Sequence, residues 1–408
     1  MLLKALPLTF VLAGLAFYAT LGGADFGAGF WQLVAGRGEQ AARIRAHAHR
    51  SMGPVWEANH VWLIFVLTVF WSSYPRAFGS IASTLAVPLF IAVLGIILRG
   101  AAYALRAGAS SARESGVIDT IFSVSSVLTP FALGAAIGAI ATDRVPVGNA
   151  SGHLFSSWLN PSSIFIGVLA VANCAYLAAV YLAADAARLG DRPLEQAFRR
   201  RALGAGVIAG AIALAGVGVI NSDHHRLYHS LIAGDALAAV IASFLAGATT
   251  LALVWTRRFD AARYGAAVAV AAIIAGFALA RWPTILPGLT VNDGAAGHDT
   301  LVWIVVSVLV GGAIVFPSLG ILFRLELTGR FRAEERTPFE PTSGRRTFKS
   351  GPLTRASVAF LIAGLGLLTL VDAAWEHAIG VVCLLGFMVV AFLAIVPRAL
   401  VDQPPHVG

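Results

Sequence analysis

Residues 300–323 read TLVWIVVSVLVGGAIVFPSLGILF, twenty-four consecutive positions without one charged side chain. As a helix rising 1.5 Å per residue this run would reach ~36 Å, enough to cross a hydrocarbon core of ~30 Å. It is one of many. The whole chain of 408 residues is 58% hydrophobic and only 12% charged, with a mean hydropathy of +0.79. Soluble domains carry about 25% charged residues. Half of that leaves too little polar surface for a cytosolic enzyme, and the apolar content excludes a disordered chain. Lipid accepts only helices or closed barrels, because no water is there to satisfy an open backbone. Barrel strands would alternate over about ten residues. These runs are continuous and about twice as long, so the sequence predicts an all-α, polytopic helical membrane protein.

Eleven spans are expected, at 5–35, 54–74, 77–98, 117–141, 161–184, 202–220, 231–256, 264–281, 300–323, 353–371 and 378–398. Sorting Lys and Arg by alternate loops puts 24 on one side and 5 on the other. Basic residues collect in cytoplasmic loops, so the N-terminus is expected outside and the C-terminus in the cytoplasm. This asymmetry also accounts for the net charge of +8, with no need for a nucleic-acid partner. Eight of the nine tryptophans lie near span ends, where indole favours the interface; Trp62 falls inside the second span. The first run is read as a retained helix rather than a cleaved signal. Residues 326–352 mix Arg, Glu, Pro, Ser and Gly and read as a cytoplasmic linker between a transmembrane domain, 1–325, and a C-terminal hairpin with a short tail, 353–408. Cys174 and Cys383 sit in apolar runs and form no CxxC pair.

An ionisable residue within a span is a functional candidate, because charge there is costly. Asp25 lies in Gly22-Gly23-Ala24-Asp25-Phe26-Gly27-Ala28-Gly29. Gly23 and Gly27, four apart, predict a face for close helix packing. Asp25 then either hydrogen-bonds across that contact or handles protons. In Pro54-Val55-Trp56-Glu57-Ala58-Asn59-His60-Val61-Trp62, Pro54 suits a helix start. Glu57 and His60, three apart, share a face, with Asn59 beside them. Glu57 either answers the positive start of its helix or belongs to a functional polar cluster; in the second case it and Asp25, both expected near the cytoplasmic surface, would form the inlet of a proton path. Asp119 stands at the start of the fourth span, followed by Ser123, Ser125, Ser126 and Thr129. These either extend a hydrogen-bonded chain or line a helix contact. Asp223-His224-His225-Arg226-Leu227-Tyr228-His229 is expected as a solvated outside loop; if it were helical, His225 and His229, four apart, could bind a metal. Asp372, Glu376 and His377 are expected in another outside turn. No second Glu-x-x-His accompanies Glu57-x-x-His60, so a di-iron site is not indicated. No phosphate loop, dinucleotide fingerprint or CxxCH haem attachment occurs.

These residues resemble a known family, subunit II of the bacterial cytochrome bd-type quinol oxidases. The resemblance rests on Gly23-Ala24-Asp25-Phe26-Gly27-Ala28-Gly29 and, most specifically, on Pro54-Val55-Trp56-Glu57-Ala58-Asn59-His60-Val61-Trp62-Leu63-Ile64. Ile118-Asp119, Ser125-Ser126, Thr129-Pro130, Asn160-Pro161 and the Pro-Gly-Leu-Thr-Val run at 287–291 also fit. It covers about residues 5–325, nine spans. The resemblance implies a non-haem subunit in the bacterial inner membrane, paired with a homologous subunit I that carries haems b and d, the quinol site and the oxygen-reducing centre. It assigns a cytoplasmic proton path to the positions of Asp25 and Glu57. It also implies a structural quinone or lipid in some members and leaves room for a small accessory subunit. Two departures stand out. Gly22 occupies a position where the family often has Asp, and the last two spans exceed the usual nine.

The expected function is thus support of quinol oxidation and oxygen reduction to water by the partner, with Asp25, Glu57, Asn59, His60 and Asp119 along a proton path. Two alternatives compete. One is a secondary transporter using Asp25 and Glu57 as a coupling-ion site. Transporters often carry matching helix breaks in two halves, whereas Pro88 in the third span has no evident counterpart. The other is a purely structural assembly subunit.

Overall fold

The computed structural model describes residues 2–106, 112–327, 352–369 and 374–395. Two similar runs of helices make up most of it. The first comprises α1 (Leu2–Leu33), α2 (Glu39–Ser73), the short α3 (Pro75–Thr84), α4 (Ala86–Arg106) and α5 (Ala112–Ala141). The second comprises α6 (Pro161–Arg188), α7 (Arg192–Asp223), the short α8 (His225–Ala233), α9 (Leu237–Trp255) and α10 (Phe259–Arg281). A small antiparallel hairpin, β1 (Thr284–Leu286) and β2 (Leu289–Thr290), leads through α11 (Val291–Gly294) to α12 (His298–Leu327). The chain divides into two compact units after Gly320. In the second, α13 (Pro352–Thr369) packs on α14 (Ala374–Ile395), with Gly364 against Leu384 and Gly386 against Phe360.

Among the described residues, eight helices are long and apolar enough to cross a membrane, and nine if Asn59–Ser73 and α3 form one bent span. The protein is a polytopic helical membrane protein. α13 and α14 contain shorter apolar stretches, Pro352–Leu367 and Ala378–Phe387. Several boundaries differ from the sequence expectation. The second helix begins at Glu39, some four turns before Pro54, and its first turns bury Ile44, His47 and Ala48 against α6 and α7. The expected span 77–98 is two helices, and Pro88 sits in the first turn of α4, where a missing N–H costs nothing. The break is instead at Tyr74, where Asn59–Ser73 and α3 meet at 120°. Its counterpart is at His224, between α7 and α8. Both residues adopt similar dihedrals (φ −136°, ψ 62° and φ −148°, ψ 81°), and each N–H bonds the carbonyl four residues back. The stretch 223–229, expected as a loop, is therefore the last residue of α7, the break at His224 and the first turns of α8.

α6 is the central helix. Cys174–Val180, Leu182–Ala184 and Ala186 are all buried, so it has no lipid face over those turns. Small side chains make this possible. A Cβ added to Gly23 would strike Leu177, and one added to Gly27 would fall on the Cys174 carbonyl, so the glycine face of α1 meets α6 as its four-residue spacing predicts. Trp62, the tryptophan away from the interface, stacks on Phe17 at 4.5 Å between ring centroids and lies 6.1 Å from Phe316, joining α1, α2 and α12.

Ion pairs tie alternate loops together at each end. At one end Arg43 bonds Asp191, Arg188 bonds Asp260 and Arg257 bonds Glu195. At the other, Arg144 bonds Asp223, while His224 and Arg281 both reach Asp143. These are the two loop sets that the arginine count separates.

Candidate functional site

Asp25 and Arg99 form an ion pair, and each side chain is only 1% exposed. Asp25 sits in the last third of α1, inside the glycine-rich face that draws α1 close to its neighbours. Arg99 comes from α4. Its Nη2 donates to Asp25 Oδ1 and also to the Asp25 main-chain oxygen at 3.0 Å. Its guanidinium lies between two aromatic rings, 4.8 Å from the centroid of Phe26 and 4.6 Å from that of Phe122. Charge, hydrogen bonds and both ring faces therefore fix the cation in one place.

The pair is not fully satisfied. Asp25 Oδ2, Arg99 Nε and Nη1, and both amide atoms of Asn59 are buried with no hydrogen-bond partner among the described residues. Asn59, on α2, is 0% exposed, and its amide fills the space left by Gly22, whose added Cβ would lie 2.7 Å from Asn59 Oδ1. His60 follows Asn59 on α2. Tyr18, on α1, adds another buried hydroxyl with no partner among the described residues. So many orphaned polar atoms in one apolar bundle form a site that ordered water fits, since a buried water makes about three such bonds.

Of the residues singled out in the sequence, Asp25, Asn59 and His60 are brought together. The Glu57 side chain lies outside the described residues; its backbone is in α2, two positions before Asn59. Asp119 is elsewhere, on α5, paired with Arg106 at 2.8 Å with both side chains about one-third exposed. Ser125, Ser126 and Thr129 bond back to carbonyls of their own helix. Ser126 packs at Gly29 and Thr129 at Gly95. They line helix contacts. Asp372 and the His377 side chain lie outside the described residues, and Glu376 is in the first turn of α14.

Two buried residues escape the sequence reading. Arg99 closes the expected third span because an arginine reads as a boundary. It is inside α4, and a buried Asp25 needing a partner is the signal that points to it. His47 reads as loop. It is 1% exposed, and its Nε2 lies 3.0 Å from the Leu182 oxygen of α6.

A separate cavity of about 630 Å³ opens between α1, α5, α6 and α7. Its walls include Phe30, Leu128, Phe131, Val168 and Ile208. Trp31 and Arg201 also line it, with the guanidinium 5.6 Å from the indole centroid. Among the described residues, no group of three or more His, Cys, Asp or Glu is placed to hold a metal ion.

Comparison with known proteins gives the family and the fold. The family described as cytochrome bd terminal oxidase subunit II matches residues 3–326. Cytochrome bd ubiquinol oxidase subunit 2 of Bacillus subtilis (strain 168) is 27% identical over 172 residues, 41% of this chain and 49% of that protein. Cytochrome bd-I ubiquinol oxidase subunit 2 of Escherichia coli (strain K12) is 25% identical over 172 residues, 40% of this chain and 44% of that protein. The matched region thus spans about half the length of these relatives. A chain of the bd oxidase from Geobacillus thermodenitrificans has a similar fold, with a TM-score of 0.64, 23% identity, and coverage of 80% of this chain and 99% of that one.

Proposed function

The chain belongs to the family of subunit II of the cytochrome bd terminal oxidase, and from that premise we propose that it is the non-haem subunit of a bacterial inner-membrane quinol oxidase. A subunit I-like partner would carry haems b and d, oxidise a membrane quinol and reduce oxygen to water. A small accessory subunit is compatible with this assembly. The present chain would brace that partner and supply a proton route from the cytoplasm. Its basic loops would face the cytoplasm, with the N-terminus outside and the C-terminal hairpin an appended unit.

The observation that carries the proton route is the cluster of buried polar atoms, without partners among the described residues, where α1, α2 and α4 meet. Glu57 would collect protons at the entrance. Asp119, paired with Arg106, belongs to the same approach. Arg106 is seven residues beyond Arg99, two turns along one face of α4. Water held by Asp25 Oδ2, the Asn59 amide and the two free Arg99 nitrogens would carry the proton inward, with His60 beside them. Arg99 changes the part Asp25 can play. One carboxylate oxygen is committed to the guanidinium, so only Oδ2 is open to exchange a proton. Asp25 then acts chiefly as a fixed anion that holds water and offsets the cation.

We assign the apolar cavity near Trp31 and Arg201 to a lipid acyl chain or a quinone tail. Its hydrocarbon walls suit such a chain, and it would serve structure rather than turnover.

The test is Glu57→Gln in the purified complex. Turnover is expected to fall while haem content stays at the level of the parent protein. Unchanged turnover removes Glu57 from the route, and loss of the haems marks the residue as structural.

A further inference from the structure

We propose that His225 and His229 form a surface site for a divalent transition-metal ion, one that favours tetragonal coordination such as Cu²⁺ or Ni²⁺. The two residues are on one face of α8, and their Nε2 atoms are 3.0 Å apart. The rings are nearly perpendicular, at 85°, with centroids 4.4 Å apart. With metal–nitrogen bonds of about 2.0–2.1 Å, two ligands at a right angle stand about 2.9 Å apart and two at the tetrahedral angle about 3.3 Å. The observed spacing is nearer the right angle, the arrangement of tetragonal sites with nitrogen ligands.

A second feature prepares the pair. Asn221 Oδ1 lies 3.1 Å from Nδ1 of His225. An amide oxygen only accepts, so the hydrogen of His225 is on Nδ1 and its Nε2 carries a bare lone pair. Metal-binding histidines are held in this way, with the second ring nitrogen donating to a carbonyl or carboxylate. Asn221 is on α7 and His225 on α8, so this bond crosses the helix break at His224. Tyr228 stacks on the His225 ring at 6.0 Å and an interplanar angle of 15°, which limits its rotation. The only hydrogen between the two Nε2 atoms belongs to His229. When the ion takes its place, His229 holds that hydrogen on Nδ1 and both Nε2 lone pairs bind the metal. Water completes the coordination, for both histidines are exposed. Arg226 is one position on from His225, about 100° around the helix, and so off the binding face.

This site is independent of the proton route. It lies among the loops joined through Asp143 and Asp223, at the other end of the bundle from the loop that carries Arg43. A bound ion would stiffen the first turns of α8 and, through Asn221, the end of α7.

The experiment uses the purified full chain with its co-purifying partner, stripped with chelator and titrated with Cu²⁺ alone. Electron paramagnetic resonance is expected to show nitrogen splitting from two imidazoles at one equivalent. Splitting from two nitrogens should be lost in His225→Ala and in His229→Ala, while Asn221→Ala should weaken binding by about tenfold or more. Copper binding of equal strength and spectrum in the double His225→Ala/His229→Ala variant would overturn the site. So would a wild-type signal with fewer than two nitrogens, which would leave the pair as a hydrogen bond only.

Discussion

The two runs of helices, α1–α5 and α6–α10, share an order of elements and a break before the short helix, yet they treat charge differently. Each has an Asp and an Arg, and in each the Arg Nη2 bridges a carboxylate and a main-chain carbonyl. In the first, Arg99 reaches both the carboxylate and the main-chain oxygen of Asp25; in the second, Arg263 reaches Asp185 and the oxygen of Tyr181 at 3.1 Å. Aromatic faces accompany both cations. The difference is depth. Asp25 and Arg99 are each 1% exposed, whereas Asp185 and Arg263 are 26% and 15% exposed. A pair near the surface keeps part of its hydration and acts as a brace. A pair removed from water has to be held by geometry, and here it leaves three buried polar atoms, Asp25 Oδ2 and Arg99 Nε and Nη1, against Nε alone at Arg263. The same motif is therefore structural in one run and, in our reading, functional in the other.

The largest effect expected from breaking this comparison is at Arg99. Arg99→Ala leaves a buried carboxylate without its partner, a loss of about 3–5 kcal/mol. Thermal unfolding of the complex should be far less resistant than in the parent. Arg263→Ala, at a pair with solvent access, should cost about 1 kcal/mol. Equal losses at the two sites would remove the distinction by depth. The double change Asp25→Leu/Arg99→Met sharpens it further, because an apolar replacement of a buried pair is often neutral or stabilising. Stability should recover while turnover stays low, which separates the water-holding role of the pair from its contribution to the fold.

Helix packing gives the next contrast. Gly27 on α1 faces the Cys174 carbonyl with no room for a methyl group, whereas Gly210 and Gly218 on α7 face open space. Gly27→Ala must push α1 from α6 and should cost about 1–3 kcal/mol by overpacking. Gly210→Ala should be neutral or stabilise by up to about 1 kcal/mol through helix propensity. Unfolding of the two variants side by side measures this directly. A harmless Gly27→Ala would mean that α1 and α6 approach less closely than described.

How far the sequence reveals these features depends on the physics of each. Continuous apolar runs make the helices legible because lipid leaves the backbone few choices. The spacing of Gly23 and Gly27 identifies a packing face, and Asp25 stands out as a charge within it. Arg99 does not, because arginine is common at span ends and a long side chain can reach back from there. Only the path of α4 past Phe26 and Phe122 makes it an interior residue. The first turns of α2 are hidden for a related reason. Arg43, Arg45 and Arg50 read as loop, although Ile44, His47 and Ala48 lie between them on one helical face. The break at Tyr74 is marked by Pro75, the first residue of α3, but Pro88 draws attention away from it, and the break at His224 has neither Gly nor Pro beside it. Paired breaks in two halves also occur in transporters, but these two lie at helix ends away from Asp25, where neither forms a site with that carboxylate.

The smallest effect concerns how the second helix of each run begins. α2 starts after Gly38 with no side-chain cap. α7 starts after Asp191, whose Oδ1 accepts from the Leu194 N–H at 3.1 Å while its carboxylate also binds Arg43. The Leu194 N–H, aided by Arg43, holds the Asp191 carboxyl below the usual carboxylate range. A group depressed in the folded state contributes stability above its unfolded pKa, about 3.9 for Asp, and loses it as pH falls through the folded value. Asp191→Ala should therefore cost about 1 kcal/mol near neutral pH. That difference from the parent should shrink below about pH 4, once the parent's own carboxyl protonates. Asp191→Asn keeps a capping oxygen and loses only the charge, so its deficit should be smaller. Unfolding curves at several pH values decide between these. A deficit for Asp191→Ala that persists unchanged into acid would show that the cap acts through shape alone, and that Arg43 adds nothing by charge to the start of α7.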